Sequence, residues 1–83
     1  MKLIVFTKKD CPQCPNAKAI AKEVAEELGL EYEEIDIEKD LITALQFNVA
    51  STPSIALDSE VLFRGEVPTK SELIRKIKEV TGQ

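Results

Sequence analysis

Residues 2–14 read KLIVFTKKDCPQC, and this stretch combines a strand pattern with a pair of cysteines. Its first part, Lys2 to Thr7, is nearly continuous in apolar and β-branched residues, which is typical of a strand that is covered on both faces. Its second part places Cys11 and Cys14 at C-x-x-C spacing, with Pro12 after the first cysteine. We predict a central strand, parallel to another strand, that leads directly into a cysteine motif.

The next two elements are a long helix and a polar strand. Apolar residues recur at helical spacing after the motif, and they are Ala17, Ile20, Ala21, Val24, Ala25 and Leu28. Gly29 is predicted to end this helix. Residues 31–37 predict a strand at a sheet edge, because Ile35 and Ile37 share one face while Tyr32, Glu34 and Asp36 share the other.

A short helix, a hairpin and a final helix follow. Residues 39–47 predict the short helix, which ends at Asn48 in the left-handed conformation and has apolar positions at Leu41, Ala44, Leu45 and Phe47. Residues 54–57 and 61–63 predict an antiparallel pair around the turn at residues 58–60. Thr69 and Glu72 have the spacing of a capping box, and the stripe of the last helix is Leu73, Ile74, Ile77 and Val80.

The predicted fold is therefore α/β, with the order βαβαββα, a four-stranded mixed sheet and three helices in a single domain over residues 1–83. The composition agrees with a folded domain, since 43% of the residues are hydrophobic and 31% are charged. A formal net charge of -4 argues against a nucleic-acid partner. The apolar run Leu3 to Phe6 is far shorter than a signal segment or a membrane span, so we expect a cytoplasmic protein without membrane contact.

The chemistry depends on two cysteines in a chain without histidine. Cysteine–histidine catalysis is excluded, and C-x-x-C-H haem attachment fails because Pro15 follows Cys14. One chain also lacks the four ligands of a structural zinc site, so a metal or iron–sulfur carrier would require a dimer. The alternatives for the role of the cysteines are thiol–disulfide exchange, a structural disulfide, a dimeric metal carrier, and a binding module with incidental thiols.

The position of the motif at a strand-to-helix turn favours exchange chemistry. We predict that Cys11 is the N-cap of the first helix and that Pro12 is its first residue. The Cys11 sulfur could then accept backbone N–H groups of Gln13 or Cys14, and the helix dipole would favour its thiolate. Lys8 would add a small favourable charge nearby. Cys11 is thus predicted to attack and Cys14 to resolve.

The C-x-x-C turn, the element order and Thr52-Pro53 before the third strand together resemble the thioredoxin and glutaredoxin superfamily. The resemblance covers essentially the whole chain. In that superfamily the matching proline is cis and packs against the active-site disulfide, while the residue before it offers its backbone to a bound peptide. The resemblance implies these roles for Pro53 and Thr52, and it implies a shallow contact surface formed by Pro12, Thr52 and Pro53.

Two branches of the superfamily are distinguished by local motifs. Residues 6–14, FTKKDCPQC, resemble the glutaredoxin motif, including Lys8, but residues 63–69, FRGEVPT, do not match its Gly-Gly glutathione half-site. Three other motifs resemble the small archaeal thioredoxins, and they are CPQCP at residues 11–15, FNV at residues 47–49, and Gly65 leading to PTK at residues 68–70. Asn48 stands where these proteins usually have glycine.

This resemblance implies a protein-disulfide reductase with catalytic Cys11 and Cys14, no bound cofactor and no metal. Its substrates would be disulfide-containing proteins, and its electrons would come from a thioredoxin-reductase-type protein or from glutathione. The supporting or substrate-binding residues would be Lys8, Pro12, Gln13, Thr52 and Pro53. A monomer is expected, and a glutathione-dependent glutaredoxin is the alternative within the same chemistry.

Overall fold

Four strands and three helices form along residues 1–82, which are the part of the chain that the computed structural model describes. The elements in chain order are β1 (Lys2–Thr7), α1 (Cys14–Leu28), β2 (Glu31–Asp36), α2 (Leu41–Gln46), β3 (Ser54–Leu57), β4 (Glu60–Arg64) and α3 (Lys70–Thr81). This confirms the predicted order βαβαββα and the thioredoxin-like architecture. None of these helices is both long and apolar enough to span a membrane.

The sheet has the strand order β2-β1-β3-β4. β1 lies in the interior and pairs in parallel with β2, from Lys2 opposite Glu31 to Thr7 opposite Asp36. On its other side β1 pairs antiparallel with β3. The central position explains the apolar sequence of β1, since both of its faces are covered, and the edge position of β2 explains its carboxylates, which discourage pairing with another chain.

Each face of the sheet supports its own hydrophobic core. The larger core lies under α1 and α3 and includes Leu3, Val5, Ala17, Ala21, Val24, Ala25, Ile55, Leu57, Leu73 and Ile77. The smaller core lies on the α2 side and includes Ile4, Phe6, Ile35, Val49 and Ala56. The Phe6 and Phe47 rings meet there, with their centroids 5.1 Å apart. Alternate residues of β1 therefore face different cores, as the period of a strand requires.

The end of α1 and the start of α3 are as the sequence predicts. Gly29 ends α1 in the left-handed conformation, with φ of 69°. Thr69 and Glu72 form the capping box at the start of α3, and hydrogen bonds from the Thr69 backbone and then its side chain lower the pKa of the Glu72 carboxyl. Lys70 joins α3 to α1 through ion pairs with Glu23 and Glu27, and these bonds raise the pKa of the Lys70 ammonium.

The apolar residues of α2 are mostly exposed. The helix is six residues long and begins after its N-cap, Asp40. Its short length lets it bury one narrow face, and that face carries Ala44. Leu41 and Leu45, which the sequence places near helical spacing, are 61% and 65% exposed, and Ile42 beside them is 72% exposed. Helical spacing identified these apolar positions but not which side of the helix meets the sheet.

Two strand boundaries also differ from the prediction. β2 ends at Asp36 rather than Ile37, although the Ile37 N–H still donates to the Thr7 carbonyl over 2.9 Å. β4 extends over Glu60–Arg64, because Glu60 already pairs with Leu57. The hairpin loop is thus only two residues long, and it begins with Asp58 at a φ of 53°. Such a two-residue loop needs a positive φ, which Asp tolerates well.

Candidate active site

Four loops meet at one edge of the sheet. β1 and β2 are parallel, so the loops that follow them, residues 8–13 and 37–40, leave from the same edge. β3 begins there, since Ser54 lies opposite Phe6, and β4 ends there, since Arg64 lies opposite Ser54. The cysteine motif and Thr52-Pro53, which are about forty residues apart in sequence, therefore approach this edge together.

Cys11 and Cys14 are joined by a disulfide, with their Cα atoms 5.4 Å apart. The two cysteine residues differ in exposure. Cys14 is the first residue of α1 and is only 4% exposed, whereas Cys11 lies in the preceding loop and is half-buried. An incoming group can therefore reach Cys11 more easily than Cys14.

The predicted capping arrangement of the motif is wrong. α1 begins at Cys14, its N-cap is Gln13, and the first-turn proline is Pro15 rather than Pro12. Gln13 makes no capping bond with its side chain, and within residues 1–82 no backbone N–H donates to the Cys11 sulfur. Residues 11–13 instead form a turn before the helix, and the Gln13 carbonyl accepts the Ala17 N–H over 3.1 Å. Cys11 lies near the positive end of α1 but is not its cap.

An open depression of about 810 Å³ lies beside the disulfide. Cys11, Cys14 and the exposed Pro12 form one side of it. Most of the remaining lining consists of charged side chains of both signs: Lys8, Lys9, Lys18 and Lys39 together with Asp10, Glu34, Asp36 and Glu38. The predicted residues Lys8 and Pro12 thus lie next to the cysteines. Gln13 is exposed but does not line the depression.

Thr52 and Pro53 lie at the same edge but outside this depression. Their peptide bond is cis, and Pro53 is fully buried. The Pro53 side chain is therefore not itself exposed to an incoming group. Thr52 is half-buried, and its Oγ1 is buried without a hydrogen-bond partner in the described part of the chain.

Hydrogen bonds fix the backbone around Thr52 and Pro53. The Ser54 hydroxyl donates to the Ser51 carbonyl over 2.7 Å, and the Gly65 N–H donates to the same hydroxyl over 3.4 Å. The Arg64 Nη1 donates to the Asn48 carbonyl over 2.6 Å. The segment before β3 is thus tied to the end of β4, and a substrate would meet it as a preformed surface.

Glu38 is a residue of this site that the sequence analysis missed. It follows β2 and lines the depression, and its Oε1 accepts the Lys9 N–H over 2.9 Å. An acidic residue directly after a strand that is parallel to β1 was the available signal, because such a residue emerges beside the cysteine loop.

The described residues contain no cluster of three or more His, Cys, Asp or Glu side chains that is arranged to hold a metal ion.

The sequence of the chain is similar to those of known thioredoxins. Residues 1–78 match the family described as Thioredoxin domain. The chain is 35% identical over 80 residues to a thioredoxin of Methanocaldococcus jannaschii, covering 94% of this chain and 93% of that protein. It is also 35% identical over 77 residues to a probable thioredoxin of Methanothermobacter thermautotrophicus, covering 90% and 89%.

The fold is likewise found in solved thioredoxins. Thioredoxin 1 of Thermosipho africanus superposes with a TM-score of 0.79 at 20% identity, covering 100% of both chains. These matches favour the thioredoxin interpretation over the glutaredoxin alternative. With the cysteine pair at the strand-to-helix turn and the family match over residues 1–78, the chain belongs to the thioredoxin family.

Proposed function

We propose that this thiol–disulfide oxidoreductase reduces protein disulfides by nucleophilic attack of Cys11 and resolution by Cys14. The unequal exposure of the two cysteine residues is the observation that carries this assignment. A substrate disulfide can reach the half-buried Cys11, whereas Cys14, at 4% exposure, is placed to react only within the protein.

The reaction balances without a bound cofactor. The reduced Cys11 thiolate attacks one substrate sulfur, the substrate S–S bond breaks, and the departing thiolate takes up a proton. The Cys14 thiol loses its proton and attacks the Cys11 sulfur of the mixed disulfide, which releases the second substrate thiol. The substrate gains two electrons, and the protein is left with the Cys11–Cys14 disulfide that the structure contains.

Docking of the substrate has to supply much of the rate. A thiol that ionises more readily is also a weaker nucleophile, so ionisation alone increases the attack rate only a few-fold. Lys8, Pro12 and Gln13 are exposed beside the sulfurs, and we assign them to substrate contact. The Thr52 backbone would pair with the substrate chain, and the buried Pro53 would support that segment.

Turnover requires a partner that returns two electrons to the disulfide. We assign this role to a thioredoxin-reductase-type protein, and the likeness to named thioredoxins supports this choice over glutathione. A reducing compartment such as the cytoplasm would keep the pair available for exchange. We propose a monomer as the working unit.

Two cysteine variants test the mechanism. Cys11→Ser is expected to abolish turnover of a protein disulfide such as insulin, whereas Cys14→Ser is expected to accumulate a mixed disulfide that mass spectrometry detects. Multiple turnover by Cys11→Ser would overturn the assignment. The reduction potential of the wild-type pair, measured in thiol buffers, is expected between about -200 and -300 mV, whereas a value near about -120 mV would indicate an oxidant.

A further inference from the structure

Apart from the disulfide to Cys14, the loop that carries Cys11 is held by one hydrogen bond to a distant carboxylate. Within residues 1–82, the bond from the Lys9 N–H to Glu38 Oε1, at 2.9 Å, is the only hydrogen bond that joins residues 8–12 to another part of the chain. We propose that Glu38 is a positioning residue, which fixes this loop and so orients the Cys11 sulfur for attack. The inference rests on the proposed function of Cys11.

Glu38 is itself held in place by the turn that follows β2. The Asp36 side chain accepts the Glu38 N–H over 2.9 Å. The Asp36 carbonyl accepts the N–H groups of Lys39 and Asp40, over 3.1 and 2.8 Å. The Ile37 N–H bonds to β1, as described above. The Glu38 carboxylate therefore projects from an ordered backbone and can act as a fixed anchor.

The loop needs such an anchor because its conformation is locally unfavourable. Asp10, between Lys9 and Cys11, has a φ of 62°. A left-handed conformation costs a residue with a side chain roughly 1–2 kcal/mol, even though Asp tolerates it better than most. Without the bond to Glu38, the loop could relax to other conformations and move the Cys11 sulfur. A misplacement of about 1 Å can reduce a reaction rate about 100-fold.

Glu38 also brings a negative charge, which lowers the reactivity of Cys11, whereas its hydrogen bond to Lys9 supports that reactivity. Cys11 lines the same depression and reacts as a thiolate, which a nearby carboxylate disfavours. The other charges that face this space are Lys8, Lys9 and Asp10 of the loop, Lys18 of α1, Glu34 and Asp36 of β2, and Lys39 of the following turn. The positioning effect and the charge effect can be separated by substitution.

Two conservative variants make this separation. Glu38→Asp keeps the charge but is one methylene shorter, so it no longer reaches the Lys9 N–H. Glu38→Gln keeps the length and an acceptor oxygen but removes the charge. Glu34→Gln is the matched control, since Glu34 lines the same depression but bonds to the Lys18 Nζ, over 3.3 Å, instead of the loop backbone.

Two rates of each reduced variant are measured, well below its unfolding temperature. One is the alkylation of Cys11 by iodoacetamide as a function of pH, and the other is the reduction of insulin. We expect Glu38→Asp to lower the insulin rate about tenfold, as loss of a hydrogen bond to a charged group predicts. Glu38→Gln and Glu34→Gln are expected to stay within about threefold of the wild type and to shift the alkylation profile to lower pH.

A wild-type insulin rate for Glu38→Asp would overturn the positioning role, as would an equal loss in Glu38→Gln and Glu38→Asp. If the wild-type protein itself fails to reduce insulin, the proposed function is wrong. The alkylation rate still tests the inference in that case, because a loop released by Glu38→Asp would change the reactivity of Cys11 at high pH, where charge no longer limits it. An unchanged rate there would refute it.

Discussion

The buried hydroxyl of Thr52 gives a prediction about stability that runs against the usual expectation for a core substitution. Thr52 Oγ1 is buried and has no hydrogen-bond partner within residues 1–82. Thr52→Val replaces this hydroxyl by a methyl group of nearly the same shape. Leaving a hydroxyl buried and unpaired costs about 1–3 kcal/mol, so removing it should stabilise the oxidised protein.

The lower end of this range applies because Thr52 is only half-buried. We expect Thr52→Val to raise the free energy of unfolding by about 1 kcal/mol, which corresponds to about 4–8 °C in the melting temperature of a domain of this size. Thr52→Ser keeps the hydroxyl but loses a methyl group, so it should lower the free energy of unfolding by about 0.8 kcal/mol. Urea and thermal unfolding of the oxidised proteins measure both values.

Thr81→Val is the matched control. Thr81 is also half-buried, but its Oγ1 donates to the Ile77 carbonyl over 2.9 Å. The same substitution there loses a satisfied hydrogen bond and should cost about 1 kcal/mol. If Thr52→Val instead lowers the free energy of unfolding by more than about 0.5 kcal/mol while Thr81→Val behaves as expected, the Thr52 hydroxyl has a partner and the reasoning is refuted.

Three further predictions concern turns and helix ends. Gly65→Ala should lower the free energy of unfolding by about 2 kcal/mol in thermal unfolding, against about 1 kcal/mol for Gly29→Ala. Both glycines have a φ of +69°, but only at Gly65 would a new Cβ lie 3.1 Å from Ser51 Cβ. Equal losses would contradict this crowding. Thr69→Ala should lower the free energy of unfolding in urea by about 1 kcal/mol, because it removes the side-chain cap of α3, and no loss would contradict the role of that cap. The folded protein lowers the pKa of Glu72, so the stabilising effect of this carboxylate is complete above the ordinary value of 4.5 and is lost as the pH falls through the lowered value. Glu72→Gln keeps a capping acceptor and should show a smaller acid-side loss of stability than the wild type. Identical pH profiles of the two proteins would refute the link.

Local signals in the sequence were sufficient for most elements of the fold. β1 is a run of apolar residues because a central strand is covered on both faces, and the capping box of α3 depends on two residues three positions apart. Gly29 and Asn48 adopt the left-handed conformation that was predicted for them. Each of these features depends on neighbours within a few positions, and a sequence shows such neighbours directly.

The sequence was less informative where the placement of a residue depends on more than local spacing. The start of α1 was misplaced because residues 11–13 form a turn before the helix. Spacing placed Leu41 and Leu45 on α2, but it did not show that a six-residue helix meets the sheet with only one side and leaves both residues exposed.

The element order, the cysteine pair and, through the absence of histidine, the kind of chemistry open to these thiols can all be read from the chain. The folded molecule was needed to show which cysteine is more exposed, which side chains surround it and that Glu38 holds the loop before it. Secondary structure follows from local spacing and backbone preference, so a sequence reveals it directly. The surroundings of Cys11 instead come from four loops that the parallel and antiparallel pairing of the sheet brings to one edge.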